Sequence, residues 1–192
     1  RFWTMLAHYH GQTWNAAEIG RSMGLSDKTV RSYLDILTGT FMIRQLQPWF
    51  ENLAKRQVKS PKIYIRDTGL LHSLLDIPDG HNLLGHPKVG ASWEGFVLEQ
   101  ALQILHPNAA YFWGTHAGDE LDLLVQSGGN RYRIEIKFNE APTLTPSMRI
   151  ASSELSLEHL WVVYPGNETY PVMKNITVIP LKDLETIREK IK

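Results

Sequence analysis

An α+β fold in two parts is predicted by three features of this 192-residue sequence. The N-terminal part carries two successive helical patterns, each with its own capping residue, followed by two short extended runs. The residues from 91 onward read in the order helix, three strands, helix, strand. Between the two parts, residues 76–90 hold three Gly, two Pro and two His with little periodicity, which marks a linker.

Composition narrows the class of protein. The apolar fraction of 43% and the six Trp suit a chain with a buried core. There is no cysteine, so disulfides and thiolate metal sites are excluded. No run approaches the ~18 consecutive apolar residues of a membrane span, and no signal-peptide pattern is present, so a cytoplasmic protein without membrane contact is expected. The chain opens at Arg1 within an apolar, helix-like run (Phe2, Trp3, Met5, Leu6), and we expect it to be part of something longer. Net charge is zero, yet residues 1–70 hold ten Lys/Arg against five Asp/Glu, and residues 71–192 hold ten against fifteen. That asymmetry favours an anion-binding front and a cation-binding back.

In the front part, Asn15 is placed to cap a helix over residues 16–23, with Glu18 at the third helical position to complete a capping box. Gly24 ends it. Ser26 caps a second helix in which Val30, Leu34 and Leu37, with Tyr33 beside them, keep helical spacing as far as Gly39. A helix, a short Gly-containing turn and a helix make a helix-turn-helix. Lys28, Arg31 and Ser32 lie away from the apolar stripe, as on a recognition helix. Extended runs over residues 41–47 and 62–66 flank a segment bearing Lys55, Arg56 and Lys59. This is a winged-helix plan over residues 1–75 with a basic wing, suited to DNA phosphates more than to base edges. The alternative is a protein–protein adaptor. Asp67-Thr68-Gly69 leads into a short helix over residues 70–75.

After the linker, a helix over residues 91–105 carries Leu98, Ala101, Leu102 and Leu105 as its apolar stripe. Glu94 falls on that stripe, whereas Glu99 projects from its side. An acid at the edge of a buried face needs a partner, unless it serves only the helix dipole. Gly95 beside it permits close approach of another backbone. A strand over residues 109–113 and a turn over 114–118 lead to the central stretch, residues 119–137. A helix over 146–157, strands over 160–164 and 177–179, and a helix over 181–191 follow.

The central stretch alternates polar and apolar residues on both sides of Gly128-Gly129, which suits a β-hairpin with a two-residue turn of positive φ. On that register Asp122 falls opposite Glu135. One face carries Leu121, Leu123, Val125, Tyr132, Ile134 and Ile136, and the other carries Glu120, Asp122, Leu124, Arg133, Glu135 and Lys137. Two opposed carboxylates repel unless a cation or a shared proton lies between them. Mg²⁺ or Mn²⁺ would remove that penalty, because such ions favour carboxylate oxygens, water and substrate phosphate. The alternative is a ladder of salt bridges in which Lys137 pairs with Glu120 and Arg133 partly neutralises Asp122 and Glu135.

Glu94, Asp122 and Glu135-Ile136-Lys137, in the order helix, three strands, helix, strand, resemble the PD-(D/E)XK nuclease core. The whole chain is similar to the region that follows the nucleotide-binding domain in a family of prokaryotic AAA-type ATPases, where a winged helix precedes a nuclease-like domain. Ala17-Glu18-Ile19, Lys28-Thr29-Val30, Lys59-Ser60-Pro61-Lys62, Asp67-Thr68-Gly69-Leu70-Leu71 and Trp93-Glu94-Gly95-Phe96-Val97 carry this likeness. It implies a winged helix over residues 1–75, a linker over 76–90 and a restriction-endonuclease-like αβββαβ domain over 91–192. It implies metal binding by Asp122, Glu135 and Glu94, with Lys137 orienting the attacking water in phosphodiester hydrolysis. It also implies an ATPase domain upstream in cis, through which alone ATP would act, since no GxxxxGK[ST] loop occurs in this chain. The proline that leads the family motif is absent here, where Glu120-Leu121 precedes Asp122. A fold that has kept this core without turnover, serving as a DNA- or protein-binding regulator, is the other outcome the resemblance allows.

Overall fold

The structure is a computed structural model that describes residues 1–50, 57–116, 118, 120–139 and 157–191. It is a mixture of α-helices and two β-sheets, divided into two compact units: Arg1–Leu46 with Ser60–Phe96, and Gln47–Lys59 with Val97–Lys192. The predicted helix over residues 146–157 falls almost wholly outside the described residues. Among the described residues, no helix is long and apolar enough to cross a membrane.

The first unit runs α1 (Phe2–Tyr9), β1 (Gln12–Thr13), α2 (Ala16–Met23), α3 (Asp27–Gly39), β2 (Ile43–Leu46), β3 (Lys62–Ile65), α4 (Thr68–Leu74) and α5 (Gly80–Leu84). It also takes the first residues of α6 (Val89–Leu105), the helix within which the division falls. The capping residues act as expected: Asn15 Oδ1 accepts the Glu18 amide at 3.3 Å, and Ser26 Oγ accepts that of Thr29 at 3.2 Å. Gly24 closes α2 in the left-handed region at φ 69°, a conformation that costs glycine little. The three strands pair antiparallel in the order β1-β3-β2. Leu6, Ile19, Val30, Leu34, Ile43 and Ile63 are central to the core beneath them.

His10 fastens three elements of this unit together. Its Nδ1 accepts the Ile65 amide at 3.0 Å, which leaves the proton on Nε2 to be donated to the Ala91 carbonyl at 3.1 Å. The ring is 1% exposed, and burial pushes its pKa down to about 4.

The second unit is built on a six-stranded sheet ordered β4-β5-β6-β7-β9-β8. Its strands are β4 (Ala109–Gly114), β5 (Glu120–Ser127), β6 (Asn130–Ile136), β7 (His159–Tyr164), β8 (Tyr170–Met173) and β9 (Ile176–Pro180). β7 is parallel to both β6 and β9, and the other neighbours are antiparallel. A 3-10 turn (Leu181–Asp183) and α7 (Leu184–Lys190) follow β9. The outer edge of β4 does not stand open. Trp49 donates its amide to the Phe112 carbonyl at 2.7 Å, and Phe112 donates its own to Gln47 at 3.0 Å.

Three short elements go beyond the sequence reading. β1 has two residues, and β8 has four that are exposed on both faces, so neither leaves an alternating pattern to read. α5 is a five-residue helix inside the stretch expected to be a linker, started by Asp79 accepting the Asn82 amide at 2.9 Å.

Candidate functional site

The site grows out of the hairpin of β5 and β6. Gly128 and Gly129 take φ 57° and 82°, the pair of positive values that a two-residue turn of this type requires. The pairing from Ser127 with Asn130 to Leu123 with Ile134 keeps the register that this turn dictates. It stops one pair short of Asp122 with Glu135. There Asp122 turns its own Oδ2 to the Ile136 amide at 2.8 Å, so a side chain takes a proton that a strand carbonyl would otherwise accept. Both acids are nearly sealed from solvent, with Asp122 8% and Glu135 4% exposed. On the charged face Asp122, Leu124, Arg133 and Glu135 are buried, Lys137 is half-buried and Glu120 is exposed, while the apolar face behind is buried throughout.

Buried carboxylates must be neutralised, and the strand supplies the cations itself. Arg133, two residues before Glu135 and so on the same face, has no exposed surface. Its Nη2 donates to Glu135 Oε2 at 2.6 Å and its Nε donates to the same oxygen at 3.2 Å. Nη2 also reaches the Glu120 carbonyl at 3.3 Å. Lys137 meets the other oxygen of the carboxylate, with Nζ 2.7 Å from Glu135 Oε1. Its backbone is fixed by donation to the Val163 carbonyl at 2.9 Å. Partial burial acts to lower the pKa of this ammonium, but the charges of Glu135 and Asp122 outweigh it and hold the group above the ordinary lysine value. Asp122, Glu135, Arg133 and Lys137 together carry no net charge.

This arrangement does not fit a divalent ion as it stands. An ion on Glu135 must compete with a cation at each oxygen. Displacing Arg133 would also strand a buried guanidinium, at a cost of roughly 3–5 kcal/mol. Among the described residues no group of three or more His, Asp or Glu is placed to hold a metal.

Glu94, expected as a third acid, has partners within the first unit. Its Oε1 accepts from Tyr64 Oη at 2.5 Å and from Lys62 Nζ at 3.1 Å, the lysine itself being buried. Lys62 and Tyr64 are two apart on β3 and so face one way, the cue in sequence that would have flagged a polar pair there. Glu99 on α6 is buried.

Residues 89–184 match the family model described as Domain of unknown function (DUF4143). The chain belongs to this family. Residues 1–81 match a second model, Domain of unknown function (DUF8612). Two mycobacterial proteins, Uncharacterized protein Mb2031c of Mycobacterium bovis and Uncharacterized protein Rv2008c of Mycobacterium tuberculosis, are each 50% identical to the chain over 186 residues. Those matches cover 97% of this chain and 42% of each relative, so the chain spans about two-fifths of their length. A solved structure, protein VC1899 from Vibrio cholerae, aligns with 98% of this chain and 49% of its own at 12% identity and a TM-score of 0.32.

Asp122, Arg133, Glu135, Lys137 and Glu94 all lie in the DUF4143 match. The exposed basic residues of α3, Lys28 and Arg31, lie in the DUF8612 match, with the acid Asp35 exposed on the same helix. Lys59 is exposed and belongs to the second unit, and Lys55 and Arg56 lie outside the described residues.

Proposed function

We propose that this DUF4143 chain is a nuclease-like module that recognises DNA or a partner protein without cleaving phosphodiesters, and that it regulates the longer protein it belongs to. One observation carries the reading: both oxygens of Glu135 are held by protein cations, Arg133 at 2.6 Å and Lys137 at 2.7 Å. A catalytic metal needs carboxylate oxygens free to coordinate it and open positions for water and substrate, whereas here both oxygens of Glu135 are engaged by side-chain cations. The order α1, β1, α2, α3, β2, β3 with an antiparallel three-stranded sheet supports a winged helix, and exposed Lys28 and Arg31 on α3 support contact with nucleic-acid phosphates. The length of the mycobacterial relatives beyond this chain leaves room for the AAA-type ATPase domain that the resemblance implies.

The test is plasmid nicking by the purified chain with Mg²⁺ or Mn²⁺, alongside Asp122→Ala and Lys137→Ala. Absent or mutation-insensitive nicking agrees with the proposal, and nicking abolished by both substitutions overturns it. DNA binding is tested separately by Lys28→Ala with Arg31→Ala, which should weaken affinity and flatten its salt dependence.

A second reading is Mg²⁺- or Mn²⁺-dependent phosphodiester hydrolysis, in which Asp122 and Glu135 would carry the ion and Lys137 would orient the attacking water. What favours it is Lys137: its side chain is 35% exposed beside two buried acids, and it stays charged. The nicking experiment separates the two readings.

A further inference from the structure

We infer that the exposed face of α3, with Phe41 and Met42 after it, is where a second copy of this chain docks, the two α3 helices lying antiparallel about a two-fold axis beside Tyr33. The inference rests on the reading of the chain as a recognition module, and goes on to name the partner that α3 takes.

The make-up of the face favours protein over nucleic acid. Tyr33 and Ile36 are exposed on α3, Ile36 at 59%, and Phe41 and Met42 carry the apolar surface past the helix end, Phe41 at 74%. Phe41 holds φ 62°, in the left-handed region that a bulky residue seldom enters, so the backbone is strained where its ring is displayed. Exposed apolar groups bordered by charged ones make the core and rim of a protein interface. The charges exposed on the helix, Asp27, Lys28, Arg31 and Asp35, cancel, whereas a surface for DNA carries a marked positive excess.

The order of those charges points to a second copy. Arg31 and Asp35 are four residues apart and share one flank of α3, and Ser32 and Ile36 form the row beside it. Asp35 accepts from Gln45 at 3.3 Å and is still exposed. In an antiparallel pair with two-fold symmetry, each flank of a helix meets the same flank of its copy. Arg31 stands two residues before Tyr33 and Asp35 two after it, so the axis sets Arg31 of each copy against Asp35 of the other. Small Ser32 lets the helices approach, and Tyr33 and Ile36 are enclosed between them. One helix pair covers less than the ~800 Å² per partner of a standard interface, so Phe41 and Met42 are needed to enlarge it and the dimer should be a weak one.

The experiment is sedimentation equilibrium of the full chain over a range of concentrations, in wild type, Arg31→Asp, Asp35→Arg and an equal mixture of those two variants, with circular dichroism to confirm folding. The expected result is a concentration-dependent dimer in wild type and a dimer at least about tenfold weaker in either variant alone, where like charges now meet. In the mixture the carboxylates of one variant meet the guanidinium groups of the other, so dimers should return. Phe41→Gly, which suits the backbone and removes the ring, should weaken the dimer while the chain stays folded, and it decides the matter if a charge variant fails to fold. A monomeric wild type, a dimer that none of these changes weakens, or a mixture that stays monomeric overturns the inference. If the wild type is monomeric and Lys28→Ala with Arg31→Ala lowers affinity for a DNA duplex, α3 is a DNA face, and the recognition reading stands without the inference. A wild type that dimerises as expected but nicks plasmid in a way that Asp122→Ala abolishes keeps the inference and overturns the non-cleaving reading.

Discussion

Nε2 of His10 occupies the space that a side chain on Gly95 would need: a Cβ there would fall 2.3 Å from that nitrogen. The ring cannot step aside, because both of its nitrogens are engaged, at 3.0 Å by Ile65 and at 3.1 Å by Ala91. Gly95→Ala is therefore expected to destabilise the chain by about 3 kcal/mol, the upper range for overpacking a fixed core. Urea unfolding should show this loss, and adding His10→Ala should cost less than the sum of the two single changes.

The same histidine makes stability depend on pH. Its folded pKa of about 4 lies below the ordinary value of 6.5 because the ring is buried, so the unfolded chain takes up a proton first as pH falls. The contribution of neutral His10 is intact above pH 6.5 and is lost as pH falls towards about 4. At roughly 1.4 kcal/mol per pKa unit the loss reaches about 3 kcal/mol. Chemical denaturation across that range should show it. His10→Asn keeps an acceptor for the Ile65 amide without a titrating ring, so its curve should be flatter.

The hairpin turn gives a sharper local test. Gly128 and Gly129 both need positive φ, at 57° and 82°, so Ala at either position should cost about 1–2 kcal/mol. Gly128→Asn should be better tolerated, since asparagine enters the left-handed region more readily. Thermal unfolding of the three variants checks the order.

How far the sequence reaches is clearest in this same hairpin. Turn chemistry and alternation were enough to place Leu123 against Ile134, and the caps at Asn15 and Ser26 were legible because each is a local hydrogen bond. The parting of the strands at Asp122 was not legible, because it depends on a side chain replacing a strand carbonyl. Nor was the burial of Arg133, since alternation tells which residues share a face but not whether that face is covered. Glu94 needed a partner by its position, yet Lys62 and Tyr64 lie about thirty residues upstream on a strand whose placement only the tertiary fold supplies.

A buried pair should also behave as a unit. Glu135→Gln removes the anion that Arg133 faces and is expected to cost about 3–5 kcal/mol, as breaking one side of a buried ion pair does. Replacing both residues with apolar ones, Arg133→Met with Glu135→Leu, should cost less than the two single changes together. Urea midpoints for the four proteins measure the coupling, and additive losses would show that the 2.6 Å contact contributes little.

The most direct measurement of the central claim, that Glu135 is neutralised by Arg133 and Lys137 and not by a metal, is thermal unfolding of the wild-type chain in EDTA and in rising Mg²⁺ or Mn²⁺. An ion bound only by the folded state must raise Tm with its concentration. The predicted result is a Tm that does not change with either ion. A rise with metal that Asp122→Ala abolishes would contradict the claim.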